Sequence, residues 1–348
     1  MIVALDHKEL TYSGRIDRTD PGKPEFIFPA SSLNFRFSGK KAVLYVENRK
    51  ACWDNYLGAI VDGEQKRWKL NDAGETEVVL LDEEEDREHE VLVFKRQDSC
   101  HEMVLTKLLL SDGSQLLKAL PKPSRRMEVY GDSVSAGEVS EAVAYVGKED
   151  PEHNGEFSNS WYSYAWIAAR KLHAELHDIA QGGIPLLNGT GWVAPPVYPG
   201  MEYMWDKVHY HPQLDQVSLW DFEKYTPHLV IVAIGQNDNH PDDYMKENPA
   251  GERADYWKYK YQQFIKQIRE KYPKAVIVLT TTILEHDKSW DQAIEEVCQS
   301  LGDDRILHFL YSENGSGTPG HIRIPEAEKM AEELTTFING LDIPVWEE

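Results

Sequence analysis

The strongest constraint on this sequence is a change of hydrophobic rhythm across Leu120-Pro121-Lys122-Pro123-Ser124. Before it, apolar residues recur with a period of two, as in Leu33-Asn34-Phe35-Arg36-Phe37, Val43-Leu44-Tyr45-Val46 and Glu90-Val91-Leu92-Val93-Phe94-Lys95. That period places successive side chains on opposite faces of short strands. Asp62-Gly63, Asn71-Asp72-Ala73-Gly74 and Asp112-Gly113 supply turns at the spacing of an antiparallel β-sandwich, a jelly roll over residues 1–120. The two prolines then break any regular element, because each fixes its own φ and restricts the residue ahead of it. Over 121–348, apolar strands near 127–130, 175–179, 228–234, 275–281 and 305–310 alternate with amphipathic helices near 160–173, 254–271, 289–300 and 325–339. Such alternation predicts a parallel sheet with helices on both faces, a three-layer α/β/α domain.

Two domains also suit 348 residues. Thirty-seven basic against 59 acidic side chains leave a formal charge of -22, which repels phosphate backbones and anionic membrane surfaces. Nucleic acid and membrane are therefore not expected partners. No stretch approaches the about 20 apolar residues that span a bilayer. Cys52, Cys100 and Cys298 are odd in number and widely spaced, which suggests neither a disulfide framework nor a zinc site. Free thiols suit a reducing compartment. The N-terminus as given shows no signal-peptide pattern, so the expected location is cytoplasmic, or secreted if a leader has been trimmed away. Nothing in the pattern specifies an oligomer.

Functional groups of open parallel sheets gather at the carboxyl ends of the strands. Four segments stand there. Gly131-Asp132-Ser133 follows the first strand, and a serine at that tip projects its hydroxyl into a cleft. Gly182-Gly183 follows the next strand, where a backbone N–H without a bulky side chain can approach a carbonyl oxygen; either glycine would serve, Gly183 being preferred. Gly235-Gln236-Asn237-Asp238 follows the third and offers the Asn237 amide as a further donor. Gly320-His321 lies ahead of the last helix, and histidine is the side chain best matched to activating a serine near neutral pH. Each segment alone reads as an ordinary turn or a surface histidine.

Taken in order, the four resemble the SGNH (GDSL) hydrolase pattern over 125–340, with His321 nine residues ahead of Met330-Ala331, the place of that family's catalytic histidine. A jelly roll ahead of Pro121-Lys122-Pro123-Ser124-Arg125-Arg126-Met127-Glu128-Val129-Tyr130-Gly131-Asp132-Ser133 narrows the resemblance to carbohydrate esterase family 2. Asn55-Tyr56, Val61-Asp62-Gly63 and Trp220-Asp221-Phe222 fit the same family. The resemblance implies a carbohydrate O-acetyl esterase acting on plant polysaccharides or oligosaccharides such as xylan and glucomannan. Ser133 would be the nucleophile and His321 the base, with Ser133, Gly183 or Gly182, and Asn237 as oxyanion donors and no metal or other cofactor. The aromatic-rich insertion between Thr190 and Trp220 offers Trp192, Tyr198 and Trp205 as sugar-stacking candidates. A lipase- or thioesterase-like hydrolase of the same fold, and a carbohydrate-binding homologue without turnover, are the alternatives.

One departure matters. SGNH enzymes place an aspartate three residues before the histidine, and Thr318 stands there instead. The resemblance implies a Ser-His dyad with a backbone carbonyl as orienter; Glu313 is the alternative. Ile322 replaces the usual proline after the histidine, and Arg323 next to it is expected to pair with Glu326 or to meet substrate hydroxyls.

Overall fold

The computed structural model describes residues 1–347. In the N-terminal unit, the short strands expected at 33–37 and 43–46 are one strand, Ser32–Lys50, and the segment at 90–95 closes another, Glu75–Lys95. These two pair antiparallel from Ser32↔Phe94 to Glu47↔Glu75, with register shifts between Gly39 and Lys41 and between Ala42 and Val43. Irregularities of that kind bend a strand and raise its twist. Here they let one hydrogen-bonded sheet curl onto itself, so the sandwich is a folded sheet rather than two separate ones. The buried positions switch from odd (Leu33, Phe35, Phe37) to even (Ala42, Leu44, Val46) across the bend, and both sets enter one core. The Asp62-Gly63 turn joins Tyr56–Val61 to Glu64–Lys69 as a hairpin.

Downstream lie five strands: β1 (Arg125–Gly131), β2 (Ala174–Ala180), β3 (Leu229–Ala233), β4 (Val276–Thr280) and β5 (Ile306–His308). All pair parallel in the order β2-β1-β3-β4-β5. Their side chains alternate between two apolar layers, which is why the strands read as continuous apolar runs. Met127, Val129, Ile231 and Val278 meet α1 (Tyr164–Lys171) and α4 (Ile324–Asn339). Val230, Val232, Ile277 and Leu279 meet α2 (Glu252–Lys271) and α3 (Ser289–Leu301). Strand order reverses beside β1, so a crevice opens at the carboxyl ends of β1, β2 and β3. Among the described residues, no helix is long and apolar enough to cross a membrane.

Several side chains link the two units, Arg15 among them. Arg15 leaves the sandwich and is fully buried against the α/β core. It donates to the carbonyl of Trp205 at 2.6 Å and the Tyr130 hydroxyl at 3.3 Å, and lies 3.5 Å from Glu128. Tyr130 and Tyr272 also donate to Glu128, at 2.5 and 2.9 Å. Burial opposes the charge on Arg15 most strongly, but Glu128, Tyr130 and Tyr272 together outweigh it and raise the guanidinium above its ordinary range. A buried ion without its partner is costly. Arg15→Ala strands Glu128, and is expected to lower unfolding stability by about 3–5 kcal/mol in a urea titration.

Candidate active site

Beyond β1, Asp132 caps a single helical turn, Ser133–Ala136: its Oδ1 accepts the Val134 N–H at 3.0 Å. Gly137 ends the turn at φ +75°, and its N–H returns to the Val134 carbonyl. Gly131 has to lack a Cβ, because Ser135 packs directly over it. The turn presents Ser133 to a cavity of about 520 Å³ above the strand ends, which Gly182, Gly183, Asn237 and His321 also line.

His321 sits between β5 and α4, and the residue that holds it is Asp150. The Asp150 carboxylate meets His321 Nδ1 at 2.5 Å and accepts the His321 backbone N–H at 2.8 Å. Buried Arg323 donates to the same carboxylate at 2.9 Å and to the His321 carbonyl. Gly320 allows this approach, since a Cβ there would stand 2.5 Å from the Lys148 carbonyl oxygen. The expected orienters are therefore corrected. Glu313 is engaged by Lys329 at 2.6 Å, Thr318 is buried with an unpartnered hydroxyl, and a side-chain carboxylate replaces the backbone carbonyl. Arg323 is corrected too: its backbone N–H, not its guanidinium, bonds Glu326, at 2.8 Å.

Electrostatics follow from this arrangement. Burial alone would discharge His321, but Glu138, with Oε2 3.8 Å from Nε2, and then Asp150 raise it to about 9. Burial would also raise Asp150, yet the bond from His321 and the Arg323 charge hold it well below the usual carboxylate range. Burial lifts Glu138 to about 7 against the opposing pull of His321. Among the described residues no hydrogen bond joins Ser133 to His321; unliganded catalytic pairs are often this loose.

The two glycines differ. Gly182 donates its N–H to Asp98 at 2.7 Å, whereas the Gly183 N–H, at φ +70°, has no protein acceptor among the described residues. Asn237 Nδ2 donates to Asp132 Oδ2 at 3.0 Å and to the Ile184 carbonyl at 3.2 Å, so an oxyanion has to compete with those acceptors. Asp238 accepts the Leu186 and Leu187 N–H groups at 2.6 and 3.0 Å, which ties the insertion to the strand tip.

Of the aromatic candidates only Trp192 lines the cavity, 59% exposed and stacked on His240 at 3.5 Å. Trp205 is corrected to a core residue: it is buried against Phe222 and Phe264, and its carbonyl receives Arg15. Tyr198 is half-buried on the same insertion, outside the cavity lining. The second cavity aromatic comes from the sandwich. Trp53 is 45% exposed and stacked on His153 at 5.5 Å, and Cys52, Asp98 and Cys100 line the same wall. Neither Asp150 nor Trp53 carries a local sequence signal, because each acquires its role through a contact distant in the chain.

Three groups bring metal-ligating atoms together: Asp98, Cys100 and His101; Glu25, Glu102 and His209; Asp62, Glu83 and His89. In each, the histidine already has a protein partner: Cys100 at 3.0 Å, Glu102 at 2.8 Å and Asp62 at 2.8 Å, respectively.

Residues 12–120 match the family model described as carbohydrate esterase 2 N-terminal. The acetylxylan esterase / glucomannan deacetylase of Cellvibrio japonicus is 29% identical over 337 residues, covering 96% of this chain and 89% of that protein. The cellulase/esterase CelE of Acetivibrio thermocellus is 28% identical over 346 residues; the match spans 96% of this chain but only 39% of that longer protein. A family two carbohydrate esterase from Clostridium thermocellum, solved with cellohexaose, superposes with a TM-score of 0.77 at 26% identity, covering 95% of this chain and 98% of that one.

An NMR titration of His321 is expected to give a pKa near 9. In Asp150→Asn the value should fall toward the ordinary range near 6.5. An unchanged value would show that Asp150 does not set it.

Proposed function

We propose that this chain, whose residues 12–120 match the N-terminal model of carbohydrate esterase family 2 and whose fold resembles that family's solved members, removes acetyl groups from plant oligo- or polysaccharides of the xylan or glucomannan type. The observation that carries this reading is the sharing of one cavity by Ser133, Asn237, Gly183 and an imidazole clamped by Asp150. Ser133 attacks the acetyl carbonyl while His321 Nε2 takes its proton, and Asp150 stabilises the imidazolium formed. The Ser133 and Gly183 N–H groups, with the Asn237 amide, receive the oxyanion. His321 then protonates the sugar oxygen as it leaves. Water, activated by the same imidazole, releases acetate from the acyl-enzyme. None of these steps calls on a metal or an organic cofactor.

Trp192 and Trp53 stand on two rims of the cavity, an arrangement that suits stacking on the flat faces of a sugar chain. Glu138, Gln181, His211 and Gln213 set polar groups among the apolar lining, which suits hydroxyl-bearing substrates. The formal charge of -22 argues against nucleic acid as a partner. Cys52, Cys100 and Cys298 are free thiols, which favours a reducing, cytoplasmic setting.

Acetate release from acetylated xylan and glucomannan tests the reading. Ser133→Ala should lower kcat by on the order of 10⁴-fold or more, and activity that survives this change would refute it. The base has to be neutral to accept a proton, and His321 is held up to about 9, so kcat/KM should climb with pH toward 9 and fall away below it. Trp53→Ala and Trp192→Ala should each raise KM for acetylated oligosaccharide by about three- to tenfold. Unchanged KM values would remove them from the binding surface.

A further inference from the structure

The acids around the cavity divide into two kinds. Asp98 accepts Gln181 Nε2 and the Gly182 N–H, both at 2.7 Å. Asp132 accepts the Val134 N–H and the Gln236 and Asn237 amides. Asp150 is filled by His321 and Arg323, and Asp238 by Leu186 and Leu187. Glu138 is the exception: among the described residues nothing donates a hydrogen bond to its carboxylate.

Its position is nevertheless fixed. The Glu138 N–H bonds the Ser133 carbonyl at 2.9 Å, so the residue is built into the nucleophile turn. Gly182 makes room for it, since a Cβ there would lie 2.5 Å from Oε2. The side chain is 18% exposed and lines the cavity, with Oε2 3.8 Å from His321 Nε2. A half-enclosed carboxylate without protein donors is free to accept from water or from a ligand that brings donors. A cation shared with Asp98 is a poor candidate, because the Asp98 Oδ2 lone pairs are already taken by two donors.

The reaction chemistry identifies the missing donor. In acyl transfer the departing alcohol oxygen takes its proton from Nε2, so it sits about 2.8–3.0 Å from that nitrogen. Oε2, 3.8 Å from the same nitrogen, can then be met by groups one or two carbons away on the leaving alcohol. On a sugar those groups are hydroxyls. Resting on the esterase reading above, we propose that Glu138 accepts a hydrogen bond from a free sugar hydroxyl neighbouring the ester oxygen, and thereby selects partly acetylated sugars whose neighbouring hydroxyl is unprotected. An acetyl group on that hydroxyl removes the donor and sets bulk against the carboxylate, so fully acetylated residues are poor substrates until a neighbour has been cleared.

The experiment measures kcat/KM for methyl xyloside and methyl glucoside monoacetates, each beside deoxy analogues lacking one hydroxyl near the ester. A site built around a hydrogen bond to a hydroxyl discriminates strongly against its absence. In the native protein, removing the engaged hydroxyl should cost at least about tenfold. In Glu138→Ala the hydroxy-to-deoxy ratio should collapse to below about twofold whatever the absolute rate, and Glu138→Gln, which keeps the shape and a neutral acceptor, should retain part of the preference. Ratios near one in the native protein would overturn the proposal. So would a ratio unchanged in Glu138→Ala, which would assign Glu138 a purely electrostatic effect on His321. Loss of the esterase reading itself has a different signature: acetate release that is absent, or that persists in Ser133→Ala.

Discussion

The ion pair between Asp150 and His321 is the contact on which the functional reading rests. It joins a loop that follows the nucleophile turn to a loop that precedes α4, residues 171 apart in sequence. Arg323 adds a buried positive charge behind it and bonds both partners. A carboxylate satisfied from two sides has little freedom to rotate, and the imidazole it grips inherits that rigidity. Nε2 is then left as the free edge of the ring, turned to the cavity that Ser133 shares. The grip has a cost in basicity at neutral pH. Asp150 on one side and Glu138 on the other favour the imidazolium, which suits the acid half of acyl transfer better than the base half.

The sandwich is part of this site, and its attachment has a physical basis. Arg15 carries a charge across the junction into a nest of Glu128, Tyr130 and backbone carbonyls, so separating the units would expose an ion designed for burial. With the units locked, the loop that carries Trp53 and the segment around Asp98 become a wall of the cavity. Asp98 in turn occupies the Gly182 N–H, which leaves Gly183 as the glycine with a donor to offer. A domain that could have been an independent module thereby helps decide which backbone N–H is left free at the cavity.

The strands and helices of the α/β unit were legible in the sequence because each is buried on both faces or along one stripe, and apolar periodicity reports burial. Ser133, Gly183, Asn237 and His321 were singled out because their segments, taken in order, resemble the SGNH pattern, and the fold brings all four to one cavity. The long strands Ser32–Lys50 and Glu75–Lys95 were not legible, since the bend at Gly39 inverts the buried parity and breaks one strand's pattern into two. Asp150 was hidden because a loop acid becomes an orienter only through a partner brought near by folding. Trp205 misled because the pattern of an aromatic-rich insertion is the same whether a ring enters the core or the cleft.

The most direct test of the account is covalent. A fluorophosphonate probe reacts with a serine only as fast as its base activates it, and mass spectrometry of the labelled protein identifies the serine. The account predicts a single adduct on Ser133, formed at least about 100-fold more slowly in Asp150→Asn. An adduct on another residue, or equal labelling rates in the two proteins, would contradict it.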